Sequence, residues 1–373
     1  MINRNKKQMF FDRYINKIFL ILSVVMVLSN CASVMNPEGG PLDESPPSLV
    51  GTQPEILINV KPEQKITIRL SEYLKESSIK NAINIFPMHS DKIQYEFRGD
   101  KIDVWLPSNL SKNTTYMIVL NTTLADEHGV EIKTDISIPF TSDPVFDSST
   151  IKGTVYGNFD HASILLWRGI LDYKSMLSTD PDYIANTTSD DSYIFKYLPA
   201  DNFSILAVEQ YGSNIDYSKG RYAFYHKNLL STKEANLKNI DFFIHQISDS
   251  EVLDIDSLDV VASSESDIVK TADVSGIVKG KFLHPIKMLL QNNSHFYVEA
   301  VNLDGSYTIN DIIAGEYQLL IYEDRNNNNK LDTGSFLDKI QSEEFYTYSD
   351  SLSCRANWEL ELPLWEYQQE IAE

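Results

Sequence analysis

From residue 65 onward the chain repeats a two-residue alternation of apolar and polar positions. Lys65-Ile66-Thr67-Ile68-Arg69-Leu70, Lys92-Ile93-Gln94-Tyr95-Glu96-Phe97, Lys101-Ile102-Asp103-Val104-Trp105-Leu106 and Thr115-Tyr116-Met117-Ile118-Val119-Leu120 each carry it. Successive side chains of a strand point to opposite faces, so this period predicts half-buried strands. Arg98-Gly99-Asp100 and Pro107-Ser108-Asn109 punctuate the runs with turn residues at spacings that suit a sandwich, and residues 136–142 supply a closing strand. Only residues 74–83 offer a helical pattern, enough for a turn or two.

A second regularity lies further along. Ile151-Lys152-Gly153-Thr154-Val155 is echoed by Val274-Ser275-Gly276-Ile277-Val278, and Ser192-Tyr193-Ile194-Phe195 by Ser306-Tyr307-Thr308-Ile309. In each copy a Pro/Ala/Gly turn and an aromatic-led strand follow, from Phe203 in one and Tyr317 in the other. Such self-similarity marks two copies of one module. Between them, residues 248–272 are rich in Ser, Asp and Glu and read as an acidic linker, with an edge strand around Val260 as an option.

The amino terminus has a different pattern. Arg4, Lys6, Lys7, Arg13 and Lys17 precede an apolar run over 18–28. Eleven helical residues span about 16 Å, roughly half the ~30 Å hydrocarbon layer, so a signal peptide fits better than a permanent transmembrane helix. Leu28-Ser29-Asn30-Cys31 closes the run and resembles the lipobox of bacterial lipoproteins, although Asn30 departs from the usual small residue. That resemblance implies lipid on Cys31 and attachment to a membrane through it. Ala32 at the next position favours the outer membrane by analogy, on its periplasmic or its outward face.

The formal net charge is −21. Residues 1–30 hold five basic side chains and one acidic one, so their removal takes away four net positive charges and leaves −25. A field of that sign repels polyanions, which argues against nucleic-acid binding. Cys31 and Cys354 are the only cysteines, and their placement makes a disulfide between them improbable.

Pro37-x-Gly39-Gly40-Pro41-x-Asp43 with Pro46-Pro47, then Leu70-Ser71-Glu72-Tyr73, Asn113-Thr114-Thr115-Tyr116 and Leu124-x-Asp126, resemble the SbsA-type Ig-like lipoproteins of Gram-negative envelopes over residues 31–145. The later copies resemble transthyretin-like and carboxypeptidase-regulatory-like β-sandwiches. The expected fold is all-β, tandem Ig-like and transthyretin-like sandwiches after a lipoprotein signal peptide. The expected division is a leader at 1–30, a Pro/Gly-rich tether at 31–50, an Ig-like sandwich at 51–147, a first repeat at 148–247, an acidic linker at 248–272, a second repeat at 273–366 and a tail at 367–373.

The sharpest local motif is Asp324-Arg325-Asn326-Asn327-Asn328-Asn329-Lys330-Leu331-Asp332. Alternate residues face inward around a tight curve, so Asp324, Asn326, Asn328, the Lys330 carbonyl and Asp332 have the spacing of a calcium loop. Asn329 replaces the turn glycine of the EF-hand, and Ser335 stands where its bidentate Glu belongs; Glu343 or Glu344 can supply that oxygen. The same residues also suit a metal-free Asx-rich turn. The first copy has Gln210 in place of the leading Asp and is expected to bind nothing.

Seven scattered histidines offer no close pair for zinc, and no nucleophile elbow or phosphate loop is present, so no catalytic residue is assigned. The expected function is a non-catalytic envelope lipoprotein with a structural role or a protein partner. The alternatives are a glycan-binding lipoprotein of a nutrient-uptake system that stacks sugars on Trp and Tyr, and a hydrolase with an unrecognised site; acidic pairs such as Asp190-Asp191 and Glu343-Glu344 could nominally serve glycoside hydrolysis but read as solvated charge.

Overall fold

The computed structural model describes residues 42–90, 92–209, 221–227, 229–233, 235–244, 271–335 and 341–366. Cys31, the first-copy loop at 210–216, linker residues 248–270 and the tail lie outside them. Every sheet of the described residues belongs to the compact unit formed within residues 46–373.

The first sandwich is built from β1 (Leu49–Gln53), β2 (Lys65–Leu70), β3 (Ile83–Phe86), β4 (Gln94–Arg98), β5 (Lys101–Trp105), β6 (Thr115–Leu120) and β7 (Ile136–Thr141). One sheet has the order β1-β2-β5-β4 and the other β3-β6-β7. The alternation in β2 and β5 turns Ile66, Ile68, Leu70, Ile102 and Val104 inward against Tyr116, Ile118 and Leu120 of β6. Gly99, at φ +61°, makes the tight β4–β5 turn, a conformation that glycine reaches without steric cost. Pro139 lies in β7, an edge strand, where its missing N–H costs no inner ladder bond.

Two expectations need correction here. β6 is buried at all six positions and is not half-buried, because Met117 and Val119 on its second face pack into the next sandwich with Phe86. β1 also begins at Leu49, inside the expected tether: past Pro47 the chain regains the N–H groups a ladder needs, and Leu49 pairs with Leu70.

The second sandwich holds β8 (Ser149–Gly157), β9 (Ser163–Arg168), β10 (Tyr183–Asn186), β11 (Ser192–Leu198), β12 (Asn202–Val208), β13 (Tyr222–Phe224), β14 (Leu230–Ser231) and β15 (Phe242–Ile244). The third holds β16 (Thr271–Lys279), β17 (Ile286–Gln291), β18 (Phe296–Ala300), β19 (Ser306–Ile313), β20 (Gly315–Glu323), β21 (Phe345–Thr347), β22 (Leu352–Cys354), β23 (Glu359–Glu361) and β24 (Trp365–Glu366). Their sheets correspond strand for strand. β10-β9-β12-β13 with β14 on β12 matches β18-β17-β20-β21 with β22 on β20, and β11-β8-β15 matches β19-β16-β24, with β23 also paired to β16.

The duplicated residues explain one another. Gly153 pairs with Tyr193, and Gly276 with Tyr307. A Cβ on Gly153 would collide with the Ile240 carbonyl, and one on Gly276 with the Tyr307 hydroxyl, so the glycine in each motif lets a neighbour approach. The Tyr193 hydroxyl donates to Ile240 O at 2.6 Å. β16 takes in Thr271 and Ala272, which composition had placed in the linker; Ala272 is buried and pairs with Ile312.

Apolar contacts join the sandwiches in series. At the first junction, besides Phe86 and Met117, the Met88 amide donates to Asp182 O at 2.7 Å and the Asn186 amide to Asp135 Oδ2 at 3.3 Å. At the second, Phe243 of β15 packs with Leu289, Leu320, Tyr322 and Leu331, flanked by Tyr156, Phe296 and Phe345. The remaining outer face, on β9 and β12, is closed by the helix α1 (Tyr173–Ser178), whose Met176 packs on Leu165, Trp167 and Leu206.

Candidate functional site: an acidic loop at the second junction

β20 is buried from Leu319 to Glu323, and the loop opens directly from its end. The Asp324 amide donates to Pro285 O at 2.9 Å, which fixes where the curve starts. From there Asp324 folds back over the loop and accepts Asn328 N at 3.1 Å on Oδ1 and Asn329 N at 2.9 Å on Oδ2. Asn327 and Asn329 have φ of +58° and +59°, so Asn329 takes the left-handed conformation that the position of the EF-hand glycine demands. The Asn326 amide donates to Asp332 Oδ2 at 2.7 Å, and Asn328 approaches the same carboxylate at 3.3 Å. The structure thus brings Asp324, Asn326, Asn328 and Asp332 together, and Lys330 N binds Asn328 Oδ1 at 2.8 Å within the same turn.

The sequence left two candidates for the extra oxygen, and the fold separates them. Glu343 turns into the loop and accepts Arg325 N at 2.7 Å and Asp332 N at 3.1 Å. Burial, with the like charges of Asp332 and Asp324 adding to it, pushes its carboxyl up to about 7 against the two backbone donors. Glu344 turns the other way and meets His226 Nε2 at 3.2 Å. Burial opposes its charge, but hydrogen bonds from His226 and Tyr346, with the charges of His226 and Lys227, together outweigh it and hold the carboxyl down at about 2. With one carboxylate turned into the loop and the other toward His226, this acidic pair does not form one carboxylate dyad.

Asp190 and Asp191, the other acidic pair, sit in the tight turn where the chain crosses from β10 in one sheet to β11 in the other. Asp190 accepts from the Thr188 and Ser192 hydroxyls, and Asp191 takes φ +60°. The tryptophans are dispersed. Trp167 is buried with its Nε1 donating to Thr179 O, Trp358 stacks under Arg355 at 5.0 Å, and Trp365 meets Tyr348 edge-on at 5.3 Å. Trp105 lines an open groove of about 920 Å³ with Met88, His89, Lys92 and Ile93. Cys354 is a buried free thiol, pushed up to about 11 by burial and Glu316.

Sequence reasoning missed two features: α1 and the His226–Glu344 pair. The signal for α1 was Asp172, whose side chain caps Ser175 N at 2.7 Å. The pair joins residues far apart in the chain and left no local trace. No helix among the described residues is long and apolar enough to cross a membrane, which says nothing of a β-barrel.

Residues 43–142 match the family described as "Bacterial Ig-like domain". No curated protein matches the chain. Among solved structures, the Bacillus anthracis TIE protein aligns at 10% identity over 88% of this chain and 59% of its own, with a TM-score of 0.17. The N-terminal part of the bacterial S-layer protein SbsC aligns at 11% over 50% of this chain and 43% of its own, with a TM-score of 0.20. An Escherichia coli alpha-2-macroglobulin fragment spanning domains MG0-NIE-MG1 aligns at 9% over 81% and 97%, also at 0.20. This chain therefore spans only about half of the first two, and the fold rests on its own strands and the family match. The first sandwich thus matches the bacterial Ig-like domain family, and two copies of a second sandwich follow it.

Proposed function

We propose that this chain is a non-catalytic cell-envelope lipoprotein, cut before Cys31 and held at the outer membrane by lipid on that residue, and that its sandwiches form a spacer presenting loops and strand edges to a protein partner. The division into 51–147, 148–247 and 273–366 is part of the same proposal. The observation that carries it is the pair of apolar junctions: strand faces left over from one core are covered by the next sandwich, as Met117 and Phe243 show, so the modules are stiffly joined in series. A spacer needs that stiffness, and the leader at 1–30 followed by Cys31 supports the anchor.

Mass spectrometry of the membrane-derived protein tests the anchor. An acylated N-terminal Cys31 is expected, with Cys31→Ser passing to the soluble fraction; a membrane-bound protein with an unmodified thiol at 31 defeats this function. Cross-linking in intact membranes followed by purification then identifies the partner.

A further inference from the structure

The loop after β20 carries more negative charge than a turn requires. Asp324 is 0% exposed and Glu343 2% exposed, and the charges that act most on Glu343 are the carboxylates of Asp332 and Asp324. Burying ionised carboxylates is costly, and a counter-charge offsets that cost beyond what their backbone N–H donors supply. A second, independent feature points into the same place. Tyr322, 1% exposed, has a hydroxyl with no hydrogen-bond partner, and its side chain packs in one cluster with Leu331 of the loop. A buried phenol is ordinarily partnered, and the charges of Asp324, Glu343 and Asp332 all act on this one.

We propose that Asp324, Asn326, Asn328, Asp332 and Glu343, with the Lys330 carbonyl, bind one calcium ion, and that the ion locks the junction between the two repeats. The donors are all oxygen, from carboxylate, amide and main chain, which selects a hard cation over zinc or copper. Amide rotation in Asn326 and Asn328 turns their oxygens toward Asp332 in exchange for the bonds those oxygens now accept from Asn328 N and Lys330 N, and Glu343 keeps further lone pairs beyond its two backbone bonds. The coupling to the junction follows from position. Leu331, inside the loop, packs with Phe243 of the first repeat, and the Phe224 amide donates to Thr333 O at 2.8 Å. A ligand that fixes residues 324–333 therefore fixes the surface against which the first repeat rests.

The experiment uses the full mature chain, with calcium chloride and magnesium chloride as probes. Equilibrium dialysis is expected to give one calcium per chain with a dissociation constant on the order of 10⁻⁴ M. Thermal unfolding is expected at a higher midpoint in calcium than in EDTA. Glu343→Gln retains hydrogen-bonding capacity while removing charge and should weaken binding at least about tenfold, equivalent to 1.4 kcal/mol; Asp332→Asn gives a second variant where Asp324 substitutions impair folding. Hydrogen exchange at the Phe224 amide should slow in calcium. No bound calcium at millimolar concentration, unchanged binding in both variants, or an equal midpoint rise with magnesium would overturn the calcium site. Exchange at Phe224 indifferent to bound calcium would overturn the lock.

Discussion

The two repeats share strand order, register and the Gly–Tyr pair, yet they cover their outer faces differently. In the first, β9 and β12 are closed by α1, a local insertion with Met176 on its inner side. In the second, the equivalent face of β17 and β20 is closed by β8 and β15 of the first repeat, through Tyr156 and Phe243. The shorter sheets then diverge. Val155 corresponds to Val278, so Tyr156 corresponds to Lys279; Phe243 pairs with Tyr156 as Glu366 pairs with Lys279. Two aromatic positions that bind a neighbour have become an exposed Lys and an exposed Glu. Stacked modules need a polar outer face wherever stacking stops, and two side chains are enough to set it.

The most severe test of this contrast is Phe243→Ala. A buried Phe cut to Ala costs about 3–5 kcal/mol, and here the loss falls on the junction, so calorimetry should resolve one cooperative transition into two. A single unfolding transition at unchanged midpoint would break the comparison. Met176→Ala should cost about 2 kcal/mol and destabilise the first repeat alone, seen as faster hydrogen exchange in β9 and β12 without change in β17 and β20.

A reciprocal exchange sharpens it further. Tyr156→Lys removes a ring packed edge-on to Phe345 at 5.9 Å and is expected to lower stability by about 1–2 kcal/mol in urea titrations. Lys279→Tyr, on the exposed face, should stay within about 0.5 kcal/mol. Equal effects from the two would mean that the corresponding faces are not different.

The smallest effect expected is one of pH. Burial raises the carboxyls of Asp182 and Asp241 in the first repeat and of Asp135 beside it. The folded state thus holds these protons more tightly than the unfolded chain, so the stability they contribute is lost as pH rises through their folded values. Arg168 lowers Asp201, and Thr67 with Lys65 lowers Asp103, so those contributions disappear as pH falls through and below the ordinary carboxylate range. Melting temperature should therefore be higher near pH ~5 than at neutrality and fall again in stronger acid. Asp182→Asn combined with Asp241→Asn should flatten the rise.

The sandwich architecture was legible because the period of two survives wherever one face meets water, as in β2 and β5, and because duplicated glycines and tyrosines kept their spacing. The double burial of β6 was less so: its unbroken apolar run signals burial on both faces, but nothing local says what covers the second. Junction partners such as Phe243 and Leu331 lie some ninety residues apart in sequence, beyond any local pattern. In the acidic loop, alternate oxygens identified Asp324 through Asp332, whereas the choice of Glu343 over Glu344 depended on which face of a short return segment turned inward.

In each repeat the last strand lies parallel to the first. β15 runs alongside β8, with Leu237 and Ile240 bonding to Thr150 and Lys152 before it, and β23 and β24 run alongside β16. The polypeptide therefore enters such a module at one pole and leaves at the opposite one. Tension applied along the backbone draws the two neighbouring strands in opposite directions, so their ladder is loaded in shear, all bonds at once, instead of being peeled open one rung at a time.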